Sequence, residues 1–447
     1  IDVGGQPDSV AVSPDGNYAV VVIENERDED LGDGVPPQLP AGYIVIVNLT
    51  GEPAAWTTQT VALTGLADLY PADPEPEFVD INSDNIAAIS LQENNHIVLV
   101  NLADGSIVNH FSAGTVDLVG VDANEDDLID QSESLDGVLR EPDGLSWLST
   151  EYFVTANEGD LDGGSRGFTV FNTAGDVIYD AGNTLDQLTV RYGHYPESRS
   201  ENKGNEPENA EFAVFGSERY LFVNSERSSV VFVYDVADFT KPVFKQLLPA
   251  AVGPEGALAI PSRNLLVVAS EEDNRDDVMR SSLNIYQYGF ASAAYPTVIS
   301  NDRLDGSPIP WSGLSADPSN SNLIYAVDDS YYKKNRIFTL DVSEKPAIVT
   351  KETRITDGNG ILAALPAGVL EADAVNADNT VNIDPEGIAK LADGSFWIAS
   401  EGSGHVVDGP VASMNVLVKA DANGVVTHAV TLPQSVNDLQ RNNGFEG

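Results

Sequence analysis

The chain contains no cysteine, so disulfides, zinc–thiolate sites and thiol nucleophiles are excluded. It is poor in bases: 23 Lys and Arg stand against 70 Asp and Glu, a formal charge of −47. A field of that sign repels nucleic acid and anionic membranes and draws cations. It suits a protein living in salt, where screening relieves self-repulsion. No apolar run is long enough to cross a bilayer. The five histidines, at positions 96, 110, 194, 405 and 428, show no ligand spacing. A nucleophile elbow, His-Glu-x-x-His, a Walker loop and a dinucleotide fingerprint are all missing, which argues against triad-type hydrolysis. Sustained 3.6-residue periodicity is missing too. The best helical candidate is 361–375, interrupted by Pro366 and Gly368.

What is present is a repeat. Asp384-Pro385-Glu386-Gly387-Ile388 opens an apolar strand, and Trp397-Ile398-Ala399-Ser400-Glu401 follows as a second strand ending in an acid. Pro-acid-small copies begin near residues 7, 76, 142, 207 and 254, a worn copy sits near 311, and the copy at 385 makes seven. A unit of this size with short alternating strands marks a propeller blade, and longer spacings mark inserted loops. The expectation is one all-β domain over 1–447: a β-propeller of about seven four-stranded blades. The end, Gly444-Phe445-Glu446-Gly447, reads as the start of an eighth copy, so eight blades are allowed if the chain continues. The opening Ile1-Asp2-Val3-Gly4-Gly5 reads as the end of an outer strand, hence a mature or trimmed start.

Two sets of acids recur at fixed places in the repeat. Glu77, Glu208, Glu255 and Glu386 begin first strands, while Glu93, Glu158, Glu226, Glu271 and Glu401 end second strands. Closing a propeller turns a repeated position into a ring. A ring of carboxylates raises its own pKa values or recruits cations. The first set is therefore the candidate catalytic and ligating set, and the second the candidate metal set, at one mouth of the axis. The competing reading is turn chemistry, with Pro fixing φ and Gly admitting φ > 0.

The insert 122–133 carries oxygen ligands at loop positions 1, 3, 5, 9 and 12: Asp122, Asn124, Asp126, Asp130 and Glu133, with the Leu128 carbonyl expected at position 7. That is EF-hand-like spacing and points to Ca²⁺. Asp127 stands where glycine is expected, and an acidic surface loop is the alternative. In so acidic a chain Arg166, Arg199, Lys203, Arg227 and Arg275 stand out, placed on the carboxylate side of the repeat. Guanidinium, acid and metal together suit phosphate, although each Arg alone is also explained by a neighbouring acid. The basic run Tyr331-Tyr332-Lys333-Lys334-Asn335-Arg336 reads as a solvated hairpin or an anion contact.

Several phrases together resemble a known family. Leu91-Gln92-Glu93-Asn94-Asn95, Thr155-Ala156-Asn157-Glu158-Gly159-Asp160, Gly164-Ser165-Arg166, Lys203-Gly204-Asn205-Glu206-Pro207-Glu208, Ser225-Glu226-Arg227 and Gly253-Pro254-Glu255-Gly256 resemble the bacterial choice-of-anchor I proteins, secreted propellers described as alkaline-phosphatase-like. Ile383-Asp384-Pro385-Glu386-Gly387-Ile388 with Ser400-Glu401-Gly402 resembles the esterase-like phytase domain. The resemblance spans roughly 70–447. It implies a secreted or surface-exposed, calcium-dependent propeller and a phosphoesterase, with calcium ions and a phosphorylated small molecule as partners. Asp143 in place of Glu and the worn sixth copy depart from a symmetric ring. Two other readings stand beside it: a non-catalytic, calcium-stabilised protein of the cell surface or matrix, and a lactonase- or arylesterase-like propeller.

Overall fold

The structure is a computed structural model describing residues 1–126, 128–274, 279–291, 293–300, 311–403, 413–433, 435 and 444–445, with Tyr331 described in its backbone alone. Asp127, Arg275, His405, Glu446 and Gly447 lie outside the described residues. Chain contacts divide the protein into two compact units. One holds 1–124, 131–189 and 194–292; the other holds 125–130, 190–193 and 293–447.

The first unit is built of antiparallel sheets laid down in chain order. The first sheet runs Pro7–Val12, Tyr18–Ile23, Tyr43–Asn48 and Thr57–Ala62. Its middle strands, YAVVVI and YIVIVN, are β-branched runs buried on both faces, which is why they read as near-continuous apolar segments. The second, third and fourth sheets repeat the four-strand order, and the fifth has three strands. Their first strands, Pro76–Ile81, Leu145–Trp147, Pro207–Phe215 and Pro254–Ile260, each contact the first strand of the preceding sheet. The core fills the space between sheets. Val20, Val22 and Ile44 meet Val79, Ile89 and Val98 between the first and second. Ile97 and Leu99 meet Trp147, Phe153 and Phe171 between the second and third. Truncating one of these aromatics, Phe153→Ala for instance, costs about 3–5 kcal/mol.

The repeat phrase encodes a bulge rather than a turn. In the second sheet Pro76 pairs with Leu91 and Val79 with Ile89, so three residues advance against two. The first, fourth and fifth sheets shift register at the same place, between Pro7 and Val10, Pro207 and Ala210, and Pro254 and Ala257. Proline opens the strand, where its missing N–H is tolerated. The extra residue falls at the acid and its small neighbour, and a bulge re-aims side chains there.

The second unit repeats the scheme. Trp311–Ala316 and Asp384–Lys390 are adjacent first strands, bulged after Trp311 and Pro385. The sheet containing Trp311 has five strands, its outermost, Val298–Ser300, running parallel to Ala347–Arg354. Residues 361–375 form turns, not the expected helix. Asp357 accepts the N–H groups of Ile361 and Ala363, and the chain then breaks at Pro366 and Gly368. The α-helix observed among the described strands is Thr184–Tyr192.

Candidate functional site

A cavity of about 500 Å³ in the first unit collects the repeated acids. Asp8, Glu77, Asp143, Glu208 and Glu255, the residue after proline in five successive sheets, line it. Glu158, Glu226 and Glu271 reach it from the ends of second strands. Two clusters stand out. Oxygens of Asp8, Glu24 and Glu77 lie within 4.8 Å of one another, and so do those of Asp143, Glu158 and Glu208. A third group, Glu158, Glu206 and Glu226, shares Glu158 with the second.

Burial is the main force on these groups. It pushes Glu24, Glu158 and Glu255 up to about 7. It drives Glu77, Asp143 and Glu208 well above the usual carboxylate range, with neighbouring acids adding to the effect. Glu77 hydrogen-bonds to both Asp8 and Glu24, and Glu208 to Asp143, Glu158 and Glu226. Two carboxyl groups bond only when a proton lies between them. At neutral pH such clusters either keep protons or exchange them for a cation. Their donors are all hard oxygens, which suit Ca²⁺.

The family-like phrases build the cavity walls. Gln92 lines the cavity and donates from Nε2 to Glu158 Oε2 at 2.7 Å. Asn94 clasps the connector ahead of the second sheet, donating to the carbonyls of Leu69 and Asp73 and accepting Glu75 N–H. Asn95 clasps the next connector through Gly114 O and Glu141 N–H. The Glu141 carboxylate, fully buried, accepts the N–H groups of Asp160, Leu161 and Asp162 and so fixes the loop after Glu158. Gly159 permits that loop: with φ +85° and a would-be Cβ 2.3 Å from Gly164 Cα, no other residue fits.

The bases sort into two kinds. Arg166 is 1% exposed and is not available to a phosphate, a correction to the sequence expectation. It pairs with buried Asp186 at 3.2 Å and donates to the carbonyls of Asp122, Ser200 and Asn202. It anchors the loop that carries Arg199 and Lys203. Arg227 does line the cavity. Arg199 and Arg227 both pair with Glu206, a residue that sequence reasoning passed over although it stands directly before Pro207.

Other expected ligands fall elsewhere. Glu93 is 4% exposed and does not line the cavity; Arg27 Nε lies 3.8 Å from it. Glu386 and Glu401 belong to the second unit. There Glu386 clusters with Asp329 and Asp384, and Glu401 lines a separate cavity of about 300 Å³. The loop 122–133 joins the ribbon strands Thr115–Val121 and Glu133–Leu139 rather than two helices. Glu133 accepts Ala123 N–H and the Asn124 amide at 2.7 Å. Asp126, Leu128 and Asp130 are counted with the second unit. The basic run is no solvated hairpin: Tyr332 and Asn335 are buried, and Arg336 pairs with Asp328. His194 meets the Ser228 carbonyl at 3.2 Å. His96 and His110, unrelated by spacing, meet across neighbouring strands at 3.0 Å.

A family profile described as the choice-of-anchor I domain matches residues 1–163 and 162–239. One described as esterase-like activity of phytase matches 310–447. No curated protein matches the sequence. Among solved structures, a proposed 6-phosphogluconolactonase from Bacteroides uniformis is 12% identical over 77% of this chain and 87% of its own, with a TM-score of 0.40. Virginiamycin B lyase from Staphylococcus aureus is 12% identical over 88% and 92%, at 0.34. The Cps50 (Swd1) β-propeller domain from Myceliophteria thermophila is 9% identical over 89% and 94%, at 0.37. Likeness this distant carries nothing about activity.

Proposed function

The chain belongs to the choice-of-anchor I domain family, and from that premise we propose that it is a secreted, calcium-dependent phosphoester hydrolase of propeller type, acting in the acidic cavity of its first unit. The observation that carries this reading is the pair of carboxylate clusters, Asp8–Glu24–Glu77 and Asp143–Glu158–Glu208, whose oxygens converge within 4.8 Å at a cavity that Arg227 also lines. The phytase-like segment at 310–447 supports the substrate class.

The clusters would hold the ions, and Gln92 would keep Glu158 in place. Bound Ca²⁺ supplies charge neutralisation and Lewis acidity toward a phosphoryl oxygen. Arg227 would bind the anionic ester, with Lys203 and Arg199 behind it. Glu255 lies outside both clusters and is poised near 7, the range in which a general base works best at neutral pH. It would take the proton of the attacking water.

The test is phosphate release from phytate, nucleotides and aryl phosphates in calcium and in chelator. Release is expected in calcium and lost in chelator, and Glu255→Gln should lower kcat by about 100-fold with calcium binding retained. Absence of turnover on all three classes would leave a calcium-stabilised binding protein. Hydrolysis of lactones or aryl acetates without phosphate release would favour the esterase reading instead.

A further inference from the structure

Glu206 is fully buried, precedes Pro207 and adopts a left-handed φ of +46°. Its two oxygens hold two different arginines by the same atom. Arg199 Nε donates to Oε1 at 2.7 Å, and Arg227 Nε donates to Oε2 at 2.8 Å. One guanidinium balances the buried Glu206 carboxylate, and the second, which also faces Glu226, is thereby held among the acids of the cavity. Gripping an arginine by Nε also leaves its terminal amino groups unspent. Among the described residues the two Nη groups of Arg199 have no hydrogen-bond or ion-pair partner, and Arg227 spends only Nη1, on Glu226 at 2.6 Å.

Structural arginines in this protein look different. Arg140 uses Nε, Nη1 and Nη2 on Thr169, Asp180 and the Ala113 carbonyl. Arg166 spends both Nη groups on Asp122, Asp186, Ser200 and Asn202. Both are buried. The side chains of Arg199 and Arg227 are 32% and 42% exposed. Lys203 lies on the same loop as Arg199, has no hydrogen-bond or ion-pair partner among the described residues, and lowers the proton affinity of Glu158 by its charge. Gly204 at φ +63° lets that loop close down, since a Cβ there would sit 2.8 Å from Asp186 Oδ2.

We propose that Glu206 is a positioning residue. It holds Arg199 and Arg227 by their Nε edges so that their remaining N–H groups, with the Lys203 ammonium, form a seat for a tetrahedral oxyanion, the phosphoryl group of the substrate. The substrate class rests on the phosphoester reading above; the seat itself does not need turnover. A planar carboxylate matches one guanidinium fork, whereas a tetrahedral dianion can take donors from three cations. Tetrahedral dianions are therefore favoured over carboxylates.

Calorimetry on the full chain tests this, with inorganic phosphate, sulfate and acetate as probes, each in calcium and in chelator. Phosphate and sulfate should bind with chelator present, and acetate at least about tenfold more weakly. Glu206→Gln should weaken phosphate binding by about tenfold or more, and Glu206→Asp should restore most of it. Arg199→Met removes a partly exposed donor while Arg227 stays bonded to the buried carboxylate, and should also lose about tenfold in phosphate affinity with the fold retained by circular dichroism. On a turned-over ester both variants should raise KM more than they lower kcat. Phosphate binding equal to the parent in Arg199→Met, or no phosphate binding by the parent in either condition, overturns the seat. Phosphate binding without turnover leaves the seat standing and removes the hydrolase reading. Turnover with undiminished affinity in both variants does the reverse.

Discussion

Glu141 and Glu206 occupy the same place in successive sheets, directly before the proline of the repeat. Both are fully buried with φ near +45°, at +42° and +46°. Their partners differ. Glu141 is satisfied by backbone N–H groups of one loop, Glu206 by two arginine side chains. Glu75 holds the same place in the sheet before them, at 1% exposure, and faces another buried carboxyl group, Glu93, with which it hydrogen-bonds. One repeat position has thus become a loop fastener, an arginine holder and a carboxyl group that burial pushes up to about 7. A repeat fixes where a carboxylate goes; the insert that folds onto it decides what it does.

The largest effect expected from this contrast is on melting in chelator. Glu24, Glu158 and Glu255 have folded-state pKa values of about 7, above the unfolded value near 4.5. Below pH 4.5 both states hold the protons and no stability is lost. Between about 4.5 and 7 the unfolded chain gives them up first, so stability falls as pH rises. The melting temperature in chelator should drop by on the order of 10 °C from pH 5 to 8. Saturating calcium should flatten that slope, because cations take the place of protons. A flat profile in chelator would show that the clusters are not proton-loaded. Next in size, Glu141→Gln strips charge from three backbone donors and should cost about 2–3 kcal/mol in denaturant melts, while phosphate binding stays at the parent level. Smaller again, Glu75→Gln should stabilise by about 1 kcal/mol at pH 8 in chelator and have no effect at about pH 4, since below the unfolded pKa both states of the parent keep the proton.

Much of the architecture was legible because β-branched runs and a Pro-acid-small phrase recur in one-dimensional order. The bulge was not, since Pro and Gly serve turns and bulges alike. The helix Thr184–Tyr192 hid because part of its buried face is polar, Asp186 and Thr189 beside Leu185, so it shows no apolar stripe. Glu77, Glu158, Glu208, Glu226, Glu255 and Glu271 were legible as candidates because each repeats, whereas Asp8 and Glu24 were not singled out and Glu93, Glu386 and Glu401 do not line the cavity. Arg166 was misread for the converse reason. What buries it is one acid, Asp186, twenty residues on in an insert that obeys no repeat. Glu206 was in view inside Lys203-Gly204-Asn205-Glu206-Pro207, but nothing in one dimension says that Arg199 and Arg227 converge on it.

The smallest expected effect concerns the loop 122–133, which lies outside the repeat altogether. Glu133 caps Ala123 and the Asn124 amide, so part of the loop is held by hydrogen bonds that need no ion. Ligation by Asp122, Asp126 and Asp130 would add to that hold only when an ion is bound. Asp122→Ala combined with Asp126→Ala should therefore lower the melting temperature by a few degrees in calcium and leave it unchanged in chelator. Equal melting of variant and parent in calcium removes ion binding from the loop and confines it to the cavity. An equal loss in both conditions means that Asp122 acts through its own hydrogen bonds. In either case the carboxylates set by the repeat and those set by the insert would differ in kind, as Glu141 and Glu206 do.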